Sequence, residues 1–96
     1  MKVEHVIWLP EIEDKLSHKH HVLPEEVAEV LFGKPRVRFV EKGYREGEDV
    51  YAAYGQTEEG RYLIVFFILK ENKQALIISA RDMDRKERKL YGRTKS

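Results

Sequence analysis

Apolar positions along the chain recur with two different periods, and the change between them separates a helical N-terminal third from a stranded remainder closed by a basic helix. Val3 to Trp8 reads as a short strand. Pro10 then supplies a fixed φ and Glu11 and Glu13 supply first-turn carboxylates, which predicts a helix running to about His18. A second helix opens at Pro24 with Glu25 and Glu26 in its first turn. It carries Val27, Val30 and Leu31 at helical spacing and stops at Gly33, before Pro35. From Arg36 the period shortens: Val37 and Phe39, then the polar, glycine-punctuated stretch Glu41 to Glu48, predict an edge strand and a loop. Val50 to Thr57 and Arg61 to Lys70 follow as strands joined at Glu58, Glu59 and Gly60, a hairpin signal. Tyr62 to Leu69 has no polar face, so its strand belongs in the middle of a sheet covered on both sides. Ala75 to Ser79 is its expected neighbour across a turn at Glu71 to Lys73. Asp84 and Glu87 stand at capping-box spacing and open the last helix, and the tail from Gly92 to Ser96 is expected to fray.

The predicted fold is one α+β domain over residues 1–96: an antiparallel sheet of about four strands, two N-terminal helices and one C-terminal helix. Ninety-six residues with 42% apolar content suit a single small core and leave little room for a deep enclosed pocket. The chain contains no cysteine, which excludes disulfides and thiolate zinc sites and fits a reducing compartment. No apolar run is long enough to span a bilayer, and Glu4, His5 and Pro10 interrupt any signal-peptide core, so a cytoplasmic protein with no membrane partner is expected.

Charge changes this picture in one place. The net charge is +1, but Arg81, Arg85, Lys86, Arg88, Lys89, Arg93 and Lys95 face only Asp82, Asp84 and Glu87 in the last stretch of chain. That favours a polyanion or an acidic partner. Within "IISARDMDRKER", Arg81 should emerge at a strand end just before a helix N-terminus, well placed for phosphate, with Arg85 and Arg88 three apart on the helix beyond. The bland alternative is a solvated cationic helix face. Arg61 opens the central strand and is equally explained by an edge-of-sheet salt bridge, and Glu87 by its cap. Tyr51, Tyr54, Tyr62, Phe66 and Phe67 suit a core better than a base-stacking platform.

"HKHH" puts three of the four histidines at His18 to His21, at the junction of the two N-terminal helices. A helical zinc site wants histidines four apart, whereas His18, His20 and His21 lie at offsets of two and three. Two other readings stay open. Imidazoles at a helix C-terminus, beside Lys15 and Lys19, complement its dipole without doing chemistry; alternatively, one of them moves a proton near neutral pH.

Trp8, Lys19-His20 with the histidine twelve residues after the tryptophan, then "PEEVAEV", "GQTEEGRYL", "ISAR" and "ER" with "LY", resemble the BrnT family of type II toxins, over Trp8 to Tyr91. The resemblance implies a RelE-like fold and a metal-independent ribonuclease that needs no cofactor and blocks translation. It also implies a BrnA-like ribbon-helix-helix antitoxin that neutralises the toxin and carries the pair to operator DNA. It marks His20, Arg61, Arg81 and Arg88 as the active positions, with Lys15, Lys19, Arg85 and Tyr91 as RNA contacts. In that scheme His20 is base or acid, Arg81 and Arg61 stabilise phosphate charge, and Arg88 holds the RNA backbone. The chain departs from the family pattern at His21, where glycine is usual, at Ile12, where lysine is common, and before "YAAYG", where an arginine is missing. Lost cations weaken phosphate binding, so a non-catalytic module of the same fold that pairs with an antitoxin-like partner is the alternative.

Overall fold

The computed structural model describes residues 2–94. Its elements are β1 (His5–Ile7), α1 (Pro10–Lys19), α2 (Pro24–Phe32), β2 (Arg36–Glu41), β3 (Val50–Gln56), β4 (Tyr62–Lys70), β5 (Gln74–Asp82) and α3 (Arg85–Thr94), with one turn of 3-10 helix at Glu71–Lys73. The strands form one sheet in the order β1-β5-β4-β3-β2. The α+β fold is as expected, but the sheet has five strands and is mixed. β2 to β5 pair antiparallel, whereas β1 joins β5 in parallel at the opposite edge. The β3–β4 and β4–β5 turns each have a local cause. Gly60 takes φ +95, which favours glycine, and Asn72 and Lys73 take left-handed φ of 61 and 58 in the turn before β5.

From β1 at one edge, the chain passes through α1 and α2 to β2 at the other edge. Both helices pack on one face of the sheet, where Leu16, Val22, Val27, Val30 and Leu31 meet Ala53, Leu63, Val65, Phe67, Ala75, Ile77 and Ala80. Full burial of a side chain such as Leu16 or Phe67 stabilises by about 2–3 kcal/mol, and these contacts fix the helices. Gly55 sets the closeness of α2, since a Cβ there would lie 2.9 Å from Val30 Cγ1.

The opposite face is less covered. A smaller cluster of Ala52, Ile64, Met83 and Tyr91 lies there, and Tyr54, Tyr62 and Phe66 pack against it only partly buried. β4 is central as expected, yet its second face is covered only in part. Helix α3 is assigned through Thr94, and residues 95 and 96 of the tail expected to fray lie outside the described residues.

Strict alternation would send Ile77, Ser79 and Arg81 to one face of β5. A bulge opposite Phe66 and Phe67 changes that parity: Phe67 pairs with Ile77 but Phe66 pairs with Ser79, leaving Ile78 as the extra residue. Ile77 and Ala80 therefore share the helix-covered face. Arg81, paired with Ile64, faces the open side, and Asp82, paired with Leu63, faces the helical side.

Candidate nucleic-acid interface

The four expected active positions divide between the two faces at one end of the sheet. His20 and Arg61 lie at the helical side and Arg81 and Arg88 on the open side.

Arg61 is a knot. Nε and Nη2 donate to the two carboxylate oxygens of Asp82 at 2.7 and 3.2 Å. Nη1 donates to the His21 carbonyl at 2.6 Å and to Glu26 at 3.0 Å, and Nη2 also donates to the His20 carbonyl at 3.0 Å. All five guanidinium N–H groups are thereby committed within the protein. Pairing with Asp82 first, and then with Glu26, raises the Arg61 pKa against the opposing effect of burial; the same guanidinium holds Asp82 below the usual carboxylate range. Arg61 thus ties the HKHH junction to the end of β5, and no donor is left over for an RNA phosphate.

The junction itself is a tight turn. The His20 N–H closes α1 on the Leu16 carbonyl, and His21 takes φ 55, a left-handed conformation that costs a non-glycine residue on the order of 1 kcal/mol. A glycine at this position would carry no such cost. His21→Gly should raise stability by a few tenths of a kcal/mol, while His20→Gly, at an ordinary φ of −115, should lower it; thermal melts of the two variants check the contrast. The Nδ1 of His18 lies 2.8 Å from the Asp14 carbonyl, so this imidazole serves the end of α1. Lys15 and Lys19 are exposed on the same helix. Among the described residues, no group of three or more His, Asp or Glu side chains is placed to hold a metal ion.

On the open face, Arg81 forms a bidentate pair with Glu87 at 2.8 and 2.9 Å, and its guanidinium lies over the Phe66 ring at 5.7 Å. Nη1 also donates to the Asp82 carbonyl at 3.1 Å, and with the side chain 39% exposed the edge formed by Nε and the second Nη2 N–H is left uncommitted among the described residues. Glu87 also closes the capping box of α3: its carboxylate accepts the Asp84 N–H at 2.9 Å, and Asp84 Oδ1 accepts the Glu87 N–H at 2.7 Å. The expected cap is therefore present, and it also positions an arginine. Hydrogen bonds from Arg81 hold Glu87 below the usual carboxylate range.

Asp82 and Glu87 are both depressed, so the stability these pairs contribute is present above the unfolded carboxylate pKa and lost as pH falls through the lower folded values. Thermal midpoints should fall most steeply below about pH 4, and Glu87→Gln should flatten part of that fall; a midpoint independent of pH there would count against both pairs.

Arg88 stacks on Tyr62 with its guanidinium carbon 4.4 Å from the ring centroid. Together with the exposed Arg85 and Lys89 it lines a shallow basic cleft. Tyr91, expected as an RNA contact, is only 8% exposed and packs edge-on against Tyr62. It is a wall of the cleft more than a platform.

Sequence reasoning missed Arg36 and Arg38 and assigned Tyr54 to the core. β2 pairs Arg36 with Tyr54 and Arg38 with Ala52, which puts both arginines on the open face, in one cleft with Lys86 and Glu87. The signal was the alternation "RVRF", in which Val37 and Phe39 take the face opposite the arginines.

The class is thus a small mixed sheet with helices on one face and a cluster of arginines beside a capped basic helix on the other. The profile of the family described as "Ribonuclease toxin, BrnT, of type II toxin-antitoxin system" matches residues 8–87, and the chain belongs to that family. The resemblance carried by Trp8 to Tyr91 is thereby borne out. Its role is that of a ribonuclease toxin with an antitoxin partner. A search of the curated proteins finds no match. No helix among the described residues is long and apolar enough to cross a membrane.

Proposed function

We propose that this chain is a single-domain, metal-independent endoribonuclease that blocks translation by cutting RNA through internal attack of the 2′-hydroxyl, and that the open sheet face holds the scissile phosphate. The observation that carries the reading is the half-exposed fork of Arg81, held by Glu87 on a face that also presents Arg36 and Arg38. In the reaction the 2′-oxygen bonds to phosphorus as its proton passes to a base, and the 5′-oxygen leaves with a proton from an acid, giving a cyclic phosphate and a free 5′-hydroxyl. Arg81 stabilises the charge that develops on the phosphoryl oxygens, as a preorganised donor does at an oxyanion. Arg88, stacked on Tyr62, grips the backbone further along α3, with Arg85 beside it. His20, on the helical side at the same end of the sheet, is the candidate for base or acid, which requires the RNA to pass around that end from Arg81, and Lys15 and Lys19 extend the cationic surface on its side. Arg61 acts as a positioning residue that fixes the His20 turn, because its donors are already committed. The partner is a BrnA-like ribbon-helix-helix antitoxin, and operator DNA is reached only through it.

The test is the purified chain in excess EDTA with RNA and DNA of matched sequence. The expected outcome is RNA cleavage to cyclic-phosphate ends with the DNA intact. Cleavage abolished by chelator and restored by zinc or magnesium would overturn the metal-free mechanism. No cleavage, with antitoxin binding retained, would make the chain a non-catalytic module of this fold.

A further inference from the structure

The cleft beside Arg81 is more than a cationic surface. It has a volume of about 380 Å³, at the lower end of the range for small-molecule sites, and it lies between the β2–β3 side of the sheet and α3. Tyr54 and Leu90 supply apolar walls, Arg36, Arg38 and Lys86 supply positive charge, and Asp84 and Glu87 supply the carboxylates. This is the composition of a site for one nucleotide: a flat apolar slot for a base, cations for the phosphates on either side, and a polar group to read the base edge.

The two carboxylates are not equivalent. Both oxygens of Glu87 are engaged, one with Arg81 Nη1 and the Asp84 N–H and the other with Arg81 Nη2. Asp84 uses Oδ1 to cap α3, its Oδ2 has no partner among the described residues, and the residue is exposed. An ionised carboxylate only accepts hydrogen bonds. Among the four bases, guanine alone presents two adjacent donors, N1–H and the N2 amino group, on its Watson–Crick edge. Uracil presents one donor between two carbonyl oxygens, which a carboxylate repels. Adenine and cytosine each set their amino group beside a ring-nitrogen acceptor.

We propose that this cleft is a guanine-specific subsite of the RNA-binding face, in which Asp84 accepts from guanine N1–H and the N2 amino group through Oδ2 and the lone pair of Oδ1 that the α3 cap leaves free, and Arg36, Arg38 and Lys86 hold the flanking phosphates. The proposal rests on the ribonuclease reading above and adds a sequence preference to it: RNA is cut at a fixed position relative to a guanosine seated here.

The test uses binding and cleavage separately. Titration of the chain with 5′-GMP, AMP, CMP and UMP, followed by NMR, should show GMP binding about tenfold more tightly than UMP. Asp84→Asn keeps a side-chain oxygen to cap α3 and replaces the free carboxylate oxygen with an amide donor, so it should erase that ratio with little change in thermal midpoint. Asp84→Ser, which also caps but carries no carboxylate, should do the same if the asparagine variant folds poorly. Sequencing of the ends produced from a random RNA pool should show guanine enriched at one position near the cut by the native chain, and no enrichment by either variant. Equal affinity for the four nucleotides, or a guanine preference that survives in both variants, would overturn the proposal. A preference for GMP in a chain that cuts no RNA would refute the nuclease reading and leave the guanine site standing.

Discussion

Arg81→Lys lowers RNA cleavage by about a hundredfold while leaving the thermal midpoint within a few degrees. Lysine keeps the positive charge but replaces a planar fork with a point charge, so the geometry offered to two phosphoryl oxygens is lost. Removal of one preorganised donor to developing negative charge typically costs a hundredfold to a thousandfold in rate. The effect on stability is small because the Arg81–Glu87 pair is partly solvated and lysine still pairs once with Glu87. Initial rates on a defined oligonucleotide and a melt of the same preparation separate the two. His20→Gln is the companion measurement. If His20 moves a proton, its loss also costs about a hundredfold and removes an inflection from the pH–rate profile. If His20→Gln keeps full activity while Arg81→Lys loses it, the open face alone carries the reaction. An Arg81→Lys chain of native rate would remove the scissile phosphate from that face.

Arg61→Ala should have the largest effect on stability of any charged-residue change in the protein. It leaves Asp82, Glu26 and the carbonyls of His20 and His21 without the donor that now satisfies them. Charge-assisted bonds contribute about 1.5–3 kcal/mol each at best, but Asp82 is 62% exposed and rehydrates, so the net loss is about 2 kcal/mol. For a domain of this size that corresponds to a fall in thermal midpoint of roughly 10 °C. Arg61→Lys should recover less than half of it, since an ammonium reaches the carboxylates but cannot serve all four partners. A shift under about 2 °C for Arg61→Ala would reduce the knot to ordinary surface pairs.

Much of this architecture was legible from periodicity and punctuation. Pro10 and Pro24 stand at the first positions of α1 and α2, Gly33 closes α2, Asp84 and Glu87 cap α3, and Tyr62 to Leu69 forms the central strand. The parallel docking of β1 was not legible, because three residues carry no signal of which strand they join. The faces of Arg81 and Asp82 were not legible either. An alternating pattern assumes constant parity, and the bulge at Ile78 changes it without any glycine or proline to mark the place. Site residues were found by type more readily than by role. Arg61 and Arg81 look alike in a sequence, but one spends every donor inside the protein and the other keeps the edge formed by Nε and the second Nη2 N–H uncommitted. Arg36 and Arg38 were overlooked because an edge strand with charged residues also describes ordinary protection against aggregation.

The Arg61 knot also bears on how the chain folds and unfolds. Its bonds to His20, His21 and Glu26 join residues separated by 41, 40 and 35 positions, whereas the β3–β4 and β4–β5 pairings, and with the latter the Arg61–Asp82 pair, close across short turns. Contacts that close long loops form after local hairpins have zipped, so the guanidinium finds His20, His21 and Glu26 beyond the rate-limiting step. In a chevron plot, Arg61→Ala should then act mainly on the unfolding limb, raising the unfolding rate by at most about thirtyfold, the kinetic counterpart of 2 kcal/mol. One surface arginine thus governs how long the folded toxin persists, while the hairpins govern how soon it appears.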